Sequence, residues 1–179
     1  MARKRRKLLI VDGYNVLRSG ARYAHMRRLP DYEHVPLNMV REKLISDVAA
    51  YAGHEYKAII VFDAAANPSD AGKTQQIGGV KVVFSPAGQS ADHVIERTAH
   101  DAAEKGLEVM VVTSDADIQD TVFGGGVDRM SADGFSFEID DLHYEAELDS
   151  QVSTKRRATV AERIDEDTLA KLKALRDRK

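Results

Sequence analysis

Four short runs dominated by apolar, mostly β-branched residues punctuate this chain: Leu8–Val11, Ala58–Phe62, Val80–Phe84 and Glu108–Thr113. None shows the strict alternation of a half-buried strand, so the pattern predicts strands covered on both faces. Between them the spacing changes. Leu37, Val40, Leu44, Ile45, Val48 and Tyr51 recur every three or four positions after Pro36, and Gly53 stops the run, which predicts a helix. A second helix opens at Ser90 or Ala91, carries Val94, Ile95, Thr98 and Ala102 on one face, and ends at Gly106. A third, shorter one begins near Ala116 and stops at Gly124-Gly125-Gly126. Strands alternating with helices imply right-handed βαβ units and hence an α/β fold with a mainly parallel sheet.

Elsewhere the pattern is weaker. Residues 18–35 read as a long polar loop, basic and interrupted by Pro30. Phe135, Phe137, Ile139 and Leu142 suggest a segment that still touches the core. Residues 150–164 read as a polar linker, and Asp165–Arg178 as a short charged helix carrying Leu169, Leu172 and Leu175, a packing or partner element. The expected organisation is a basic arm over residues 1–6, a domain over 7–149, and a linker with a charged helix over 150–179.

Composition changes this picture in three places. There are no cysteines, which excludes disulfides and thiolate metal sites. Only four apolar residues follow the basic block Arg3–Lys7 before Asp12, too few for a secretory core, and no run approaches the ~20 residues of a membrane span. A cytoplasmic protein with no membrane partner is expected. The net charge of −3 is near balance, so only its distribution is informative: Arg18, Arg22, Arg27 and Arg28 follow the first strand closely.

The acids sit at strand ends. Asp12, Asp63 and Asp115 each close an apolar run, at the edge where open parallel sheets bind ligands. Asp92 falls in the first turn of a helix, Asn15 lies three positions after Asp12, and Asp117 two after Asp115. An acid in a first helical turn is most often a cap, and Asp12 before Gly13 suits a turn. Three strand-end acids in one short chain argue for a set. Converging carboxylates repel unless a cation neutralises them. Oxygen-only donors select a hard ion, Mg²⁺ or Mn²⁺. Phosphodiester hydrolysis is the chemistry that such an ion supports. Gly124-Gly125-Gly126 lacks the Gly-Lys-Ser/Thr ending of a phosphate loop and reads as a turn. A haloacid-dehalogenase phosphatase needs an acid where Tyr14 stands, and the paired acids and lysine of a phospho-receiver are missing.

The strings Val11-Asp12-Gly13-Tyr14-Asn15, Val61-Phe62-Asp63-Ala64, Ser90-Ala91-Asp92 and Thr113-Ser114-Asp115 resemble, in order, the motifs of the YacP-like branch of the NYN ribonucleases, within the PIN-like superfamily. The resemblance covers about residues 7 to 135. It implies a three-layer α/β/α sandwich and a divalent-metal endoribonuclease, with translation-linked cleavage of mRNA and a ribosomal context for some members. Asp12, Asn15, Asp63, Asp92 and Asp115 become the metal-binding and catalytic set, and Asp117 matches the second acid of a Ser-x-Asp-x-Asp pattern. One departure is His93, where the family often has an acid; Glu96 stands one turn on from Asp92.

Holding RNA requires cations. Arg18, Arg22, Arg27, Arg28 and, from the loop after Asp63, Lys73 are the candidates for phosphate contacts, and Tyr14, Tyr23 and Tyr32 for stacking on unpaired bases. The expected partners are RNA, mRNA above all, and the ribosome, with no small-molecule cofactor. The competing reading is a catalytically silent RNA- or ribosome-binding module on the same fold. All four principal acids are present, which favours the enzyme.

Overall fold

β1 (Lys7–Asp12) lies in the interior of a six-stranded sheet with strand order β3-β4-β2-β1-β5-β6. The computed structural model describes residues 7–28, 37–66, 68–115 and 126–163. The other strands are β2 (Tyr56–Phe62), β3 (Thr74–Ile77), β4 (Val80–Phe84), β5 (Val109–Val112) and β6 (Val127–Met130). All pairings are parallel except β3 with β4. The helices are α1 (Gly13–Ser19), α2 (Ala21–Arg28), α3 (Leu37–Ala52), α4 (Ala91–Glu104) and α5 (Ala132–Arg163).

The unbroken apolar run in β1 has a simple cause. Leu9 and Val11 face one core, with Val16 and Leu17 of α1, Val40, Leu44 and Val48 of α3, and Phe135 and Ile139 of α5. Leu8 and Ile10 face the other, against Ala91, Ile95, Ala99 and Ala102 of α4. A strand covered on both sides leaves no position for a polar residue until its end. The three layers and the mainly parallel sheet expected from the sequence are present.

Four local readings change. Residues 18–28 are not loop: α1 runs to Ser19 and α2 occupies Ala21–Arg28, turning at Gly20, where an added Cβ would meet Val16 O at 2.7 Å and Ser136 Oγ at 2.8 Å. Residues 150–163 continue helix α5 where a polar linker was expected. Phe135 and Ile139 are buried but Phe137 is 75% exposed, because a helix buries positions four apart and turns the one between outward. Two strands carried no apolar signal. β3 is an exposed edge hairpin strand, turned by Gly78 and Gly79 at φ 56° and 85°, and β6 places Asp128 and Arg129 outward. The helices expected near Ala116 and over Asp165–Arg178 lie outside the described residues.

The chain divides into two compact units, Met1–Asp140 and Asp141–Lys179, and the sheet belongs wholly to the first. Within it the connections set up a crevice. From β1 the chain passes through α1, α2 and α3 to β2 on one side; from β4 it crosses through α4 to β5 on the other. The carboxyl ends of β1 and β5 therefore lead away in opposite directions, the switch point at which open α/β sheets bind ligands. Among the described residues, no helix is long and apolar enough to cross a membrane.

Candidate active site

Asp12 ends β1 and caps α1: the Asn15 backbone N–H donates to its Oδ1 at 3.1 Å. Its second oxygen accepts the Thr113 hydroxyl at 3.4 Å across the gap to β5. The Asn15 side chain repeats the link, its Oδ1 accepting the Ser114 N–H at 2.8 Å. Thr113 Oγ1 also accepts the Asp115 N–H at 3.1 Å, and Ser114 Oγ accepts the Ala132 N–H at 2.9 Å at the start of α5. The turns after β1 and β5 are thus sewn together by hydroxyls and one amide. The sequence reading missed Thr113 and Ser114 as organisers; two hydroxyl residues between an apolar run and an acid were the available signal.

Asp63 follows β2 and is anchored differently. Its Oδ1 accepts the Ala65 N–H at 2.7 Å and its Oδ2 the Ala91 N–H at 3.4 Å, at the first residue of α4. Buried Ser85 steadies the same turn by accepting the Ala64 N–H at 3.0 Å. The cap of α4 is Ser90, whose Oγ accepts the His93 N–H at 3.2 Å. Asp92 is therefore not the capping residue. A cleft of about 420 Å³ opens beside Asp63, walled by Ala64, Pro68, Pro86 and Gln89.

The acids are coupled by charge. Asp12 is 6% exposed, and burial pushes its carboxyl up to about 6. The Asn15 N–H and the Thr113 hydroxyl oppose that shift, while the charges of Asp92 and Asp115 reinforce it. The charges of Asp92 and Asp115 thus both reach Asp12, and Asp63 is tied to the first residue of α4, next to Asp92. No three of these four carboxylates bring oxygens within 4.8 Å of one another. Among the described residues, that spacing is met by His100, Asp101 and Glu104, all exposed on α4. They lie about 15 Å along the helix from Asp92 and take no part in this edge. An oxygen-only donor set with a destabilised buried carboxylate fits a hard divalent cation. Asp117 lies outside the described residues. His93 is exposed, and Glu96 is half-buried one turn from Asp92.

The expected phosphate contacts divide. Arg18 is exposed in the last turn of α1. Arg22 is turned inward, its Nε 3.1 Å from Asp47 Oδ2 and its Nη1 on Asp140, with 16% of the side chain exposed. It serves the fold rather than an RNA surface. Tyr23 is likewise no stacking platform: it is fully buried and its hydroxyl donates to Asp47 at 3.0 Å. Asp47 takes a third partner, Lys43, at 2.8 Å. An acid within the apolar face of α3, between Ile45 and Val48, was the overlooked sign of this knot. Lys73 pairs with Asp70 at 2.9 Å and stays half exposed. Tyr14 packs edge-on against Phe62, with centroids 5.1 Å apart. Arg27 and Arg28 end α2, their side chains outside the described set, as is Tyr32.

Residues 9–177 match the model of the YacP-like NYN domain. The chain belongs to the YacP-like NYN domain family. NYN domains are a nuclease family. The chain is 31% identical over 136 residues to the uncharacterized protein YacP of Bacillus subtilis strain 168, covering 75% of this chain and 76% of that one. The crystal structure of Rae1 (YacP) from Bacillus subtilis is similar at TM-score 0.63 and 25% identity, over 96% of this chain and 95% of that one. A crystal structure of a mutant Rae1 (YacP) from the same organism gives TM-score 0.64 and 26% identity, over 83% of each chain. In this NYN chain the turn after β1 is tied to the turn after β5, and the turn after β2 to the start of α4.

Proposed function

We propose that this NYN protein is a divalent-metal-dependent endoribonuclease that hydrolyses phosphodiester bonds in RNA. The observation that carries the proposal is the buried Asp12 carboxylate, held at the switch point by an amide and a hydroxyl in the field of Asp92 and Asp115. Asp12, Asp63, Asp92 and Asp115 would hold Mg²⁺ or Mn²⁺, with Asp117 as a further acid. Such an ion supplies Lewis acidity: it makes water a better nucleophile and offsets charge gathering on the phosphoryl oxygens. The chain's own groups do the positioning. Thr113 orients Asp12 through its hydroxyl, and Asn15, tied by its oxygen to Ser114, offers its amide nitrogen to a water or a phosphoryl oxygen. The Ala65 and Ala91 amides hold Asp63 toward the start of α4.

Arg18, Arg27, Arg28 and Lys73 remain proposed backbone contacts, reading charge rather than sequence. The preference for mRNA and a ribosomal setting rest on the family resemblance alone, and a cytoplasmic location on the sequence reading of its cysteine content and apolar runs.

The test is calorimetry with Mg²⁺ and with Mn²⁺ on the wild type, Asp12→Asn and Asp92→Asn, alongside RNA cleavage with and without translating ribosomes. Metal binding and cleavage that both collapse in the variants support the proposal. Folded wild-type protein that binds neither ion leaves an RNA- or ribosome-binding module.

A further inference from the structure

Arg41, in the second turn of α3, is held in an unusual way. Its guanidinium carbon lies 5.7 Å from the Phe62 ring centroid and 5.6 Å from that of Phe84. Those two rings are themselves stacked, with centroids 5.6 Å apart. One nitrogen, Nη2, donates to Asn38 Oδ1 at 2.9 Å. Among the described residues no carboxylate pairs with it, although Arg22, Lys43 and Lys73 each have one. Among the described residues, Lys57, Lys81, Arg97 and Arg129 have no acid partner either, but all four are exposed, whereas Arg41 is half-buried.

Ring faces fix a guanidinium without cancelling its charge. After the Asn38 bond, the remaining donors form a planar fork of the kind that matches two phosphate oxygens. Its place matters as much. Phe62 immediately precedes Asp63, and its ring edge abuts Gly13, where a Cβ would lie 2.3 Å from the ring. Arg41 therefore stands one aromatic ring from the Asp12–Asn15 turn, over the carboxyl ends of β2 and β4. A carboxylate edge repels a polyanion, and a fixed, unneutralised cation beside it attracts one.

We propose that Arg41 binds a backbone phosphate of the RNA strand, leading it across the β2/β4 side of the acidic edge. The inference rests on the ribonuclease reading and adds to it a contact that no motif marks.

The test is fluorescence anisotropy with a short, labelled single-stranded oligoribonucleotide in Mg²⁺, over a salt series, using Asp92→Asn as the parent so that the RNA survives. Adding Arg41→Gln is expected to weaken binding roughly tenfold and to lower the slope of log K against log salt by about 0.7. Arg41→Lys should keep the slope while losing part of the affinity, because a point charge replaces the fork. Arg97→Gln, on the exposed face of α4, should change neither. Arg41→Met keeps an apolar stem on the two rings and replaces Arg41→Gln if circular dichroism shows the latter unfolded. Parent-like affinity and slope in the folded, uncharged variant would overturn the inference and leave Arg41 as a cover for the core. Wild-type protein that neither binds nor cleaves RNA in Mg²⁺ would instead remove the ribonuclease reading, and this contact with it.

Discussion

Asn15 Oδ1 accepts the backbone N–H of Ser114 at 2.8 Å, joining turns 99 positions apart in the chain. The bond makes the end of β1 and the end of β5 one mechanical unit at the edge that carries Asp12 and Asp115. Asn15→Ala should cost about 1–2 kcal/mol of stability, because the Ser114 amide is left unsatisfied. Cleavage should fall further than the loss of folded protein explains. Thermal denaturation and single-turnover cleavage on the same preparation separate the two. Cleavage that merely tracks the folded fraction would reduce Asn15 to a structural clamp.

Asp12 links the site to pH. Its carboxyl is raised from 3.8 to about 6 in the fold, so the folded chain holds that proton more tightly than the unfolded chain. The stabilisation this brings is complete below about pH 4 and is lost as pH rises through about 6. Metal-free Asp12→Asn should therefore be more stable than the wild type at neutral pH, by up to about 3 kcal/mol, and should lose the advantage in acid. Urea titrations across that window in chelator measure it.

Divalent ions should reverse this ranking. Mg²⁺ or Mn²⁺ that binds only the folded protein stabilises it by mass action. Saturating metal should raise the melting temperature of the wild type and leave that of Asp12→Asn nearly unmoved. Equal shifts in both would move the metal elsewhere on the surface.

Asp47 is 1% exposed and receives Arg22, Tyr23 and Lys43. Asp47→Ala strands those donors and should cost about 3–5 kcal/mol. The dependence of RNA binding on salt should not change, either in this variant or in Arg22→Gln, at temperatures where both are folded. A shallower salt slope in Arg22→Gln would restore Arg22 to the RNA surface.

Gly13 has no room for a side chain, because a Cβ there would lie 2.3 Å from the Phe62 ring. Gly13→Ala should push that ring from its place under Arg41, costing about 1–3 kcal/mol and weakening RNA binding with it. Anisotropy at a temperature where the variant is folded checks the second effect.

Much of the fold was legible because burial writes itself into short runs. The segments at Leu8, Ala58 and Glu108 are strands with both faces covered, which their continuous apolarity reflects, whereas the segment at Val80 buries Val80, Val82 and Phe84 on one face and leaves Lys81 exposed on the other. The motif acids were legible for the complementary reason: a charge that ends such a run must leave the sheet at its carboxyl edge. β3, β6 and α2 were not. Thr74–Ile77 is an exposed edge strand, Val127–Met130 turns its charges to water, and Ala21–Arg28 looks like a basic loop until Asp47 reaches Arg22 and Tyr23.

Sequence by itself determined the alternation of strands and helices, the parallel sheet and the edge on which Asp12, Asp63 and Asp115 emerge, since all three follow from local periodicity and chain direction. Tertiary structure decided how those acids are held and which cations remain outside ion pairs. It tied Asn15 to Ser114, turned Arg22 inward, and set Arg41 on Phe62 and Phe84. These are contacts between residues tens of positions apart. Their energies depend on distance and solvent access in three dimensions, and nothing in the neighbouring sequence encodes either.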